Sequence, residues 1–268
     1  MTEEWPDDPS LRGWLPFSAR TRPRPSLRLF CFPHAGGGAS AFRGWLASPV
    51  PGVELHPVQL PGRETRYDEA LPADLGPLIP ELAEALLPLL DVPFALVGNS
   101  MGSLIAYELA RHLQRRFLLC PVWLFAAAAV PPPEVERLPR IGDSPDQELI
   151  RLLQERYNGI PREIADSPEF RATYLPVLRD DLRLLEAYRW TPEPALSCPV
   201  TVVSGRADSS VDPGVARGWA AVTGGPFEQV RVAGGHLALL DHRDLVLERL
   251  SGPSFQAPVE AVPSGADG

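Results

Sequence analysis

Short apolar runs rich in β-branched and aromatic residues recur along the chain, separated by longer stretches of helical periodicity. This is the arrangement expected of a parallel sheet built from βαβ units. Six runs predict strands: Leu27 to Phe32, Val53 to Val58, Phe94 to Val97, Val122 to Ala127, Val200 to Ser204, and Phe227 to Val232. The stretch from Glu134 to Thr191 breaks the alternation, because it offers helical periodicity and no convincing strand, and it reads as a helical insertion. Within it Phe170, Tyr174, Leu178, Leu182, Leu185 and Tyr188 recur at three- and four-residue spacing and form one apolar stripe. Asp166 or Ser167 is placed to cap that helix, with Pro168 in its first turn, and Pro176 should kink or locally disrupt it by removing a backbone donor. The stripe is read both as a helix packed on the core and as a lid over a pocket.

Composition narrows the class. With 268 residues, 44% hydrophobic and 22% charged, the chain has room for one large domain of ordinary globular make-up. Residues 1–26, with Arg20-Thr-Arg-Pro-Arg-Pro, and the tail 251–268, rich in Pro, Gly, Ser and Ala, read as loosely held ends. They leave one domain at 27–250 that carries the insertion at about 134–191. The longest apolar stretch, Val122 to Val130, is too short to span a bilayer. The N-terminus carries acids where a secretory signal carries bases, so a cytoplasmic protein is expected. Cys31, Cys120 and Cys198 lie in or beside apolar runs and read as reduced core thiols. A formal net charge of −9, with every basic side chain an arginine, argues against nucleic acid as a partner.

Candidate chemistry centres on Gly98-Asn99-Ser100-Met101-Gly102. Chance alone produces a GxSxG match in roughly one chain of this length in ten. Context strengthens it, because Phe94 to Val97 supplies a buried strand and Ser103 to Leu113 a helix, the strand-turn-helix of a nucleophile elbow in an α/β-hydrolase fold. Glycines at 98 and 102 avoid collisions in a sharp, strained turn, and the helix N-terminus favours a developing anion. Ser100 is therefore the expected nucleophile.

A serine hydroxyl needs a base to take its proton and a carboxylate to orient that base. Chain order in this fold, Ser then acid then His, excludes His34 and His56. His112 lies roughly 18 Å along the helix from Ser100. Of the two that remain, His236 follows Gly234-Gly235 after the last strand, on a loop at a carboxyl strand end, whereas His242 reads as a solvated helical residue. For the acid, Asp208 follows the strand at Val200 through Gly205-Arg206-Ala207. Asp212, before Pro213, is the alternative and could instead cap a helix. Oxyanion donors are expected at the backbone N–H of Met101 and, from the glycine-rich loop Pro33-His-Ala-Gly-Gly-Gly38, of Ala35. That loop lacks the Lys-Ser/Thr of a phosphate-binding P-loop.

Several motifs together are more specific than GxSxG: Leu29-Phe-Cys-Phe-Pro-His-Ala-Gly-Gly-Gly38, Gln59-Leu-Pro-Gly-Arg-Glu64, Gly98-Asn-Ser-Met-Gly102 with Tyr107-Glu-Leu-Ala110, Tyr174-Leu-Pro-Val-Leu-Arg-Asp-Asp181, and Gly234-Gly-His236. On these the chain resembles, over roughly residues 27–250, the free-standing type II thioesterases that accompany polyketide and nonribosomal peptide synthases. The resemblance implies a triad of Ser100, Asp208 and His236, oxyanion donors at Ala35 and Met101, and a lid from 134–191. It further implies that acyl groups are hydrolysed from the phosphopantetheine thiol of a carrier protein, by a monomer needing no metal or bound cofactor and no membrane. A medium-chain fatty-acyl thioesterase or carboxylesterase would use the same triad. Two departures concern the pocket: Asn99 stands where such enzymes often have His, and Leu237-Ala238 where aromatic residues are common. The insertion holds 9 arginines against 12 acidic residues, so no basic dock for an acidic carrier is legible in its overall charge.

Overall fold

The structure is a computed structural model that describes residues 9–18, 24–157 and 167–251. Its centre is a six-stranded, wholly parallel sheet made of β1 (Leu27–Phe32), β2 (Val53–Pro57), β3 (Phe94–Asn99), β4 (Trp123–Ala127), β5 (Val200–Gly205) and β6 (Phe227–Val232). The spatial order is β2-β1-β3-β4-β5-β6. All six expected strands form. Every residue of β1, β3, β4 and β5 is buried, as a parallel sheet covered on both faces requires. Alternation divides these strands between two cores: Phe30, Phe32, Leu96, Leu124 and Val202 face one, while Leu29, Cys31, Val97, Phe125 and Val203 face the other.

Helices cover both faces. We number them α1 (Pro9–Trp14), α2 (Leu75–Leu86), α3 (Met101–Phe117), α4 (Asp146–Tyr157), α5 (Leu175–Ala187) and α6 (Arg243–Ser251); two further single turns lie at Arg43–Leu46 and Pro213–Ala216. Among the described residues no helix is long and apolar enough to cross a membrane.

Residues 9–18 correct the expectation of a loose N-terminal extension. Leu11, Trp14 and Leu15 are buried in the main core, the Arg66 guanidinium stacks 4.1 Å above the Trp14 ring, and the Gln59 amide donates to the Trp14 carbonyl at 2.7 Å. Three apolar side chains on one helical turn secure a segment whose arginine- and proline-rich neighbourhood suggested otherwise. Residues 1–8 and 19–23 and the tail from 252 lie outside the described residues. The cysteine expectation also divides. Cys31 and Cys198 are buried thiols, the latter pushed up by burial to about 12. Cys120 is exposed, because it sits in the loop between α3 and β4.

Between β4 and β5 the described residues add no strand to the sheet. Ser167 Oγ accepts the Phe170 amide at 3.1 Å and caps the second insertion helix; Asp166, the other candidate, lies outside the described residues. The helix opens as a π turn over Phe170–Tyr174 and continues as α5, with Pro176 in its first turn. A wider turn where proline withdraws an N–H is the disruption expected there. The apolar stripe divides between two cores. Phe170, Leu178 and Leu182 join Leu149, Ile150 and Leu153 of α4 in a separate small core, while Tyr188 is buried in the main one.

One ion pair ties this insertion to the sheet. Arg63 donates to both carboxylate oxygens of Asp181 on α5, at 2.7 and 2.6 Å, and Asp181 also accepts the Gly36 amide at 2.6 Å. Both side chains are almost wholly excluded from solvent, at 4% and 0% exposure. Removing one partner leaves a buried charge without compensation, which is far costlier than losing a surface pair. Arg63→Met is therefore expected to lower unfolding free energy by about 3–5 kcal/mol, read from urea denaturation followed by tryptophan fluorescence. A loss below about 1 kcal/mol would contradict this account of the pair.

Candidate active site

Three loops at the carboxyl ends of the parallel strands converge, where open α/β sheets place their sites. The first is the turn from β3 into α3. Ser100 has φ 54° and ψ −118°, a strained conformation for a residue with a side chain. Its amide donates to the Ala127 carbonyl at 2.7 Å. A Cβ at Gly98 would come within 2.3 Å of the Gly102 carbonyl oxygen, and one at Gly102 within 2.2 Å of that of Phe32. Both glycines are thus required by backbone packed against backbone. Ser103, one turn into α3, accepts the Ala127 amide through Oγ at 3.0 Å and lies 2.9 Å from the Gly98 carbonyl oxygen, which pins β3, β4 and the elbow together.

The second and third loops follow β5 and β6. They run so close that a Cβ at Gly205 would lie 2.1 Å from the Gly235 carbonyl oxygen, and the Ala207 amide donates to the Gly234 carbonyl at 2.9 Å. This contact sets Asp208 beside His236. His236 Nε2 lies 3.0 Å from Ser100 Oγ, and Nδ1 lies 3.0 Å from Asp208 Oδ2. The partners assign the proton to Nδ1, leaving Nε2 free to accept from the serine. Burial would raise the Asp208 carboxyl, but hydrogen bonds from His236 and Ser210 and the charge of His236 hold it below the usual carboxylate range.

The alternatives are elsewhere. Asp212 caps the turn at Pro213–Ala216 by accepting the Gly214 and Val215 amides at 2.7 and 3.2 Å. His242 lies just before α6, not within it, with Nε2 3.0 Å from the Ala233 carbonyl. His56 is buried against Ser18, 2.7 Å from its Oγ. His112 rides on α3 beside Phe117.

The glycine-rich loop after β1 borders the serine, since β1 and β3 pair up to Phe32 opposite Gly98. The backbone N–H groups of Ala35 and Met101 donate to no acceptor among the described residues. Several amides near Ala35 are engaged: Gly36 with Asp181, Gly37 with the His34 carbonyl at 2.9 Å, and Ala39 with Gln59 Oε1 at 3.0 Å. Ser40 bonds Glu64 through its amide, at 3.3 Å, and its hydroxyl. Gln59, Arg63, Glu64 and Asp181, scattered among the motifs, therefore act on one loop.

A cavity of about 180 Å³ opens beside Ser100. Phe170, Tyr174, Leu178 and Leu182 of the insertion wall it on one side, and His34, Leu237 and His236 on the other. A second, of about 50 Å³, reaches Ser100 past Met101, Val135, Arg156 and Ser210. Tyr157 lines both, its ring 4.6 Å from that of His236. Tyr157, Ser210 and Ser103 carry no sequence signal that marks them for the site; Ser210, two residues after the acid, comes nearest to one. Asn99 is buried with both side-chain polar atoms unpartnered among the described residues, and nothing in the structure explains it.

A thioesterase domain family model matches residues 27–252. The AMB antimetabolite synthetase AmbE of Pseudomonas aeruginosa is 41% identical over 224 residues, covering 83% of this chain and 10% of that protein; the chain spans about a tenth of that relative's length. The medium-chain S-acyl fatty acid synthase thioesterase of Homo sapiens is 34% identical, over 82% of this chain and 83% of that protein. The solved structure of RedJ, a thioesterase from the prodiginine biosynthetic pathway of Streptomyces coelicolor, superposes with a TM-score of 0.76 at 36% identity, covering 87% and 94% of the two chains.

His34 gives the site a pH signature. Burial, then the charges of His236 and Arg63, lower it to about 4 from an ordinary 6.5. Between those values the unfolded chain binds a proton that the folded chain refuses. Stability contributed here is complete above pH 6.5 and falls as pH drops towards 4, by up to about 1.4 kcal/mol per pH unit. His34→Gln should flatten the dependence of unfolding free energy on pH across this window, measured by urea titrations at several pH values. Equal slopes in the two proteins would contradict the assignment.

Proposed function

The chain belongs to the thioesterase domain family, and we propose that it hydrolyses acyl groups from the phosphopantetheine thiol of carrier proteins, clearing stalled or aberrant units from a polyketide or nonribosomal peptide synthase. One observation carries the mechanism: His236 bridges Ser100 and Asp208 at 3.0 Å on each side. His236 Nε2 takes the Ser100 proton as Oγ attacks the thioester carbonyl, and Asp208 stabilises the imidazolium that forms. The tetrahedral oxyanion is received by the unengaged amides of Ala35 and Met101. Collapse breaks the C–S bond, and His236 returns its proton to the departing thiolate. A water then replaces the thiol; His236 deprotonates it, it attacks the acyl-serine carbonyl, and the carboxylic acid leaves as Ser100 recovers its proton. Protein side chains and water suffice, and the substrate brings the phosphopantetheine arm. On this reading the enzyme works as a monomer in the cytoplasm, beside the synthase that loads its substrate.

The medium-chain fatty-acyl reading has the human relative in its favour. The cavity beside Ser100, walled by Phe170, Leu178 and Leu182, is apolar enough to receive an acyl chain of either kind, so the acyl group and its carrier have to be varied together.

Intact-mass measurement of carrier proteins loaded with acyl groups of two to twelve carbons tests this reading, beside a simple oxygen ester. Rapid deacylation of the carrier-bound thioesters is expected, faster than cleavage of the simple ester, with a loss on the order of 10⁴-fold or more in Ser100→Ala. Equal or greater activity on the simple ester would overturn it.

A further inference from the structure

We propose that Ser210 is a fourth member of the catalytic network, a positioning residue that fixes the Asp208 carboxylate and shares the proton on His236; this rests on the triad reading above. Its hydroxyl lies 2.6 Å from Asp208 Oδ1 and 2.9 Å from His236 Nδ1. The Ser210 amide adds a third bond, to Asp208 Oδ1 at 2.9 Å.

Hydrogen accounting assigns each role. His236 Nδ1 has one hydrogen, and two acceptors stand within reach of it, Asp208 Oδ2 at 3.0 Å and Ser210 Oγ at 2.9 Å. An ionised carboxylate only accepts, so the Ser210 hydroxyl hydrogen goes to Asp208 Oδ1. The result is a closed ring in which the imidazole donates to the acid and the hydroxyl, and the hydroxyl donates to the acid. Both carboxylate oxygens then have fixed partners, so Asp208 has no free rotation that would release His236. When His236 becomes an imidazolium, its Nδ1–H already faces two oxygens.

A local turn accounts for only part of this. A serine amide bonded to the side chain of the aspartate two residues earlier is a common way to stabilise a tight bend, and from the serine it takes only the backbone N–H. It does not require the hydroxyl to reach an imidazole 26 residues away in sequence on a different loop. That reach depends on the close backbone approach of Gly205 to Gly235. Ser210 also borders the smaller cavity at Ser100, among Met101, Val211 and His236, so it stands where a change of orientation reaches the reacting atoms.

Ser210→Ala and Ser210→Thr test this, assayed beside wild type and Ser100→Ala with an acyl-thioester substrate and, separately, by the rate of inactivation with a fluorophosphonate, which reads serine nucleophilicity without carrier binding. A hydrogen bond to a charged group is worth about tenfold to a hundredfold in rate. In Ser210→Ala, kcat and the inactivation rate should therefore fall together by about that factor, with KM within about twofold and a thermal midpoint lowered by no more than a few degrees. Ser210→Thr, which keeps the hydroxyl, should recover most of the loss. Wild-type rates in Ser210→Ala, a loss confined to KM, or a Thr variant as impaired as Ala would each overturn the proposal. If Ser100→Ala itself retains turnover, the triad reading fails instead, and the two failures are told apart.

Discussion

The backbone at Ser100 is the constraint from which the site follows. Its φ of 54° is a conformation that side chains avoid, held because β3 ends against β1 and β4 while α3 starts at once. Gly98 and Gly102 make that junction possible by letting carbonyl groups approach within distances that any Cβ would block. The strain lifts the hydroxyl out of the sheet and leaves the Met101 amide at the start of a helix without an internal acceptor. Gly205 repeats the same economy one layer along, packing the acid loop on the histidine loop.

A second constraint sets the other wall. The loop after β1 is irregular up to Gly38, where a 3-10 turn at Ala39–Phe42 begins; the Gly36, Ala39 and Ser40 amides are held by Asp181, Gln59 and Glu64, and the Gly37 carbonyl accepts from Arg63 at 3.3 Å. Asp181 belongs to the insertion, so the helix that walls the larger cavity and the loop that offers the Ala35 amide are bonded to the same carboxylate. A shift of α5 would be felt directly at Gly36, next to that amide. The wall of the cavity beside Ser100 and the backbone next to Ala35 are thereby linked through one buried ion pair.

Strands were the most legible part of the sequence, because a parallel strand buried on both faces reads as an uninterrupted apolar run. The Ser, Asp and His positions were legible for a related reason: each follows a strand through a glycine-bearing turn, and the structure brings all three together. Partnerships between distant residues were not. Ser210 reaches His236, Tyr157 packs on it, and Asp181 bonds Gly36 only once the loops are folded, and no spacing in the chain encodes those contacts. The helix at residues 9–14 escaped for another reason, being too short for periodicity and flanked by proline and arginine. The motifs that carried the family resemblance turn out to share a physical purpose, since Gln59, Arg63, Glu64 and Asp181 all brace one loop.

Acylation of the strained serine is a covalent event, and rapid-quench intact mass spectrometry of the enzyme mixed with an acyl-thioester would capture it. The prediction is a transient mass increase of one acyl group, mapped by peptide digestion to Ser100 and absent in Ser100→Ala. Acyl mass on any other residue, or acid released at full rate with no acyl-enzyme at any mixing time, would contradict it.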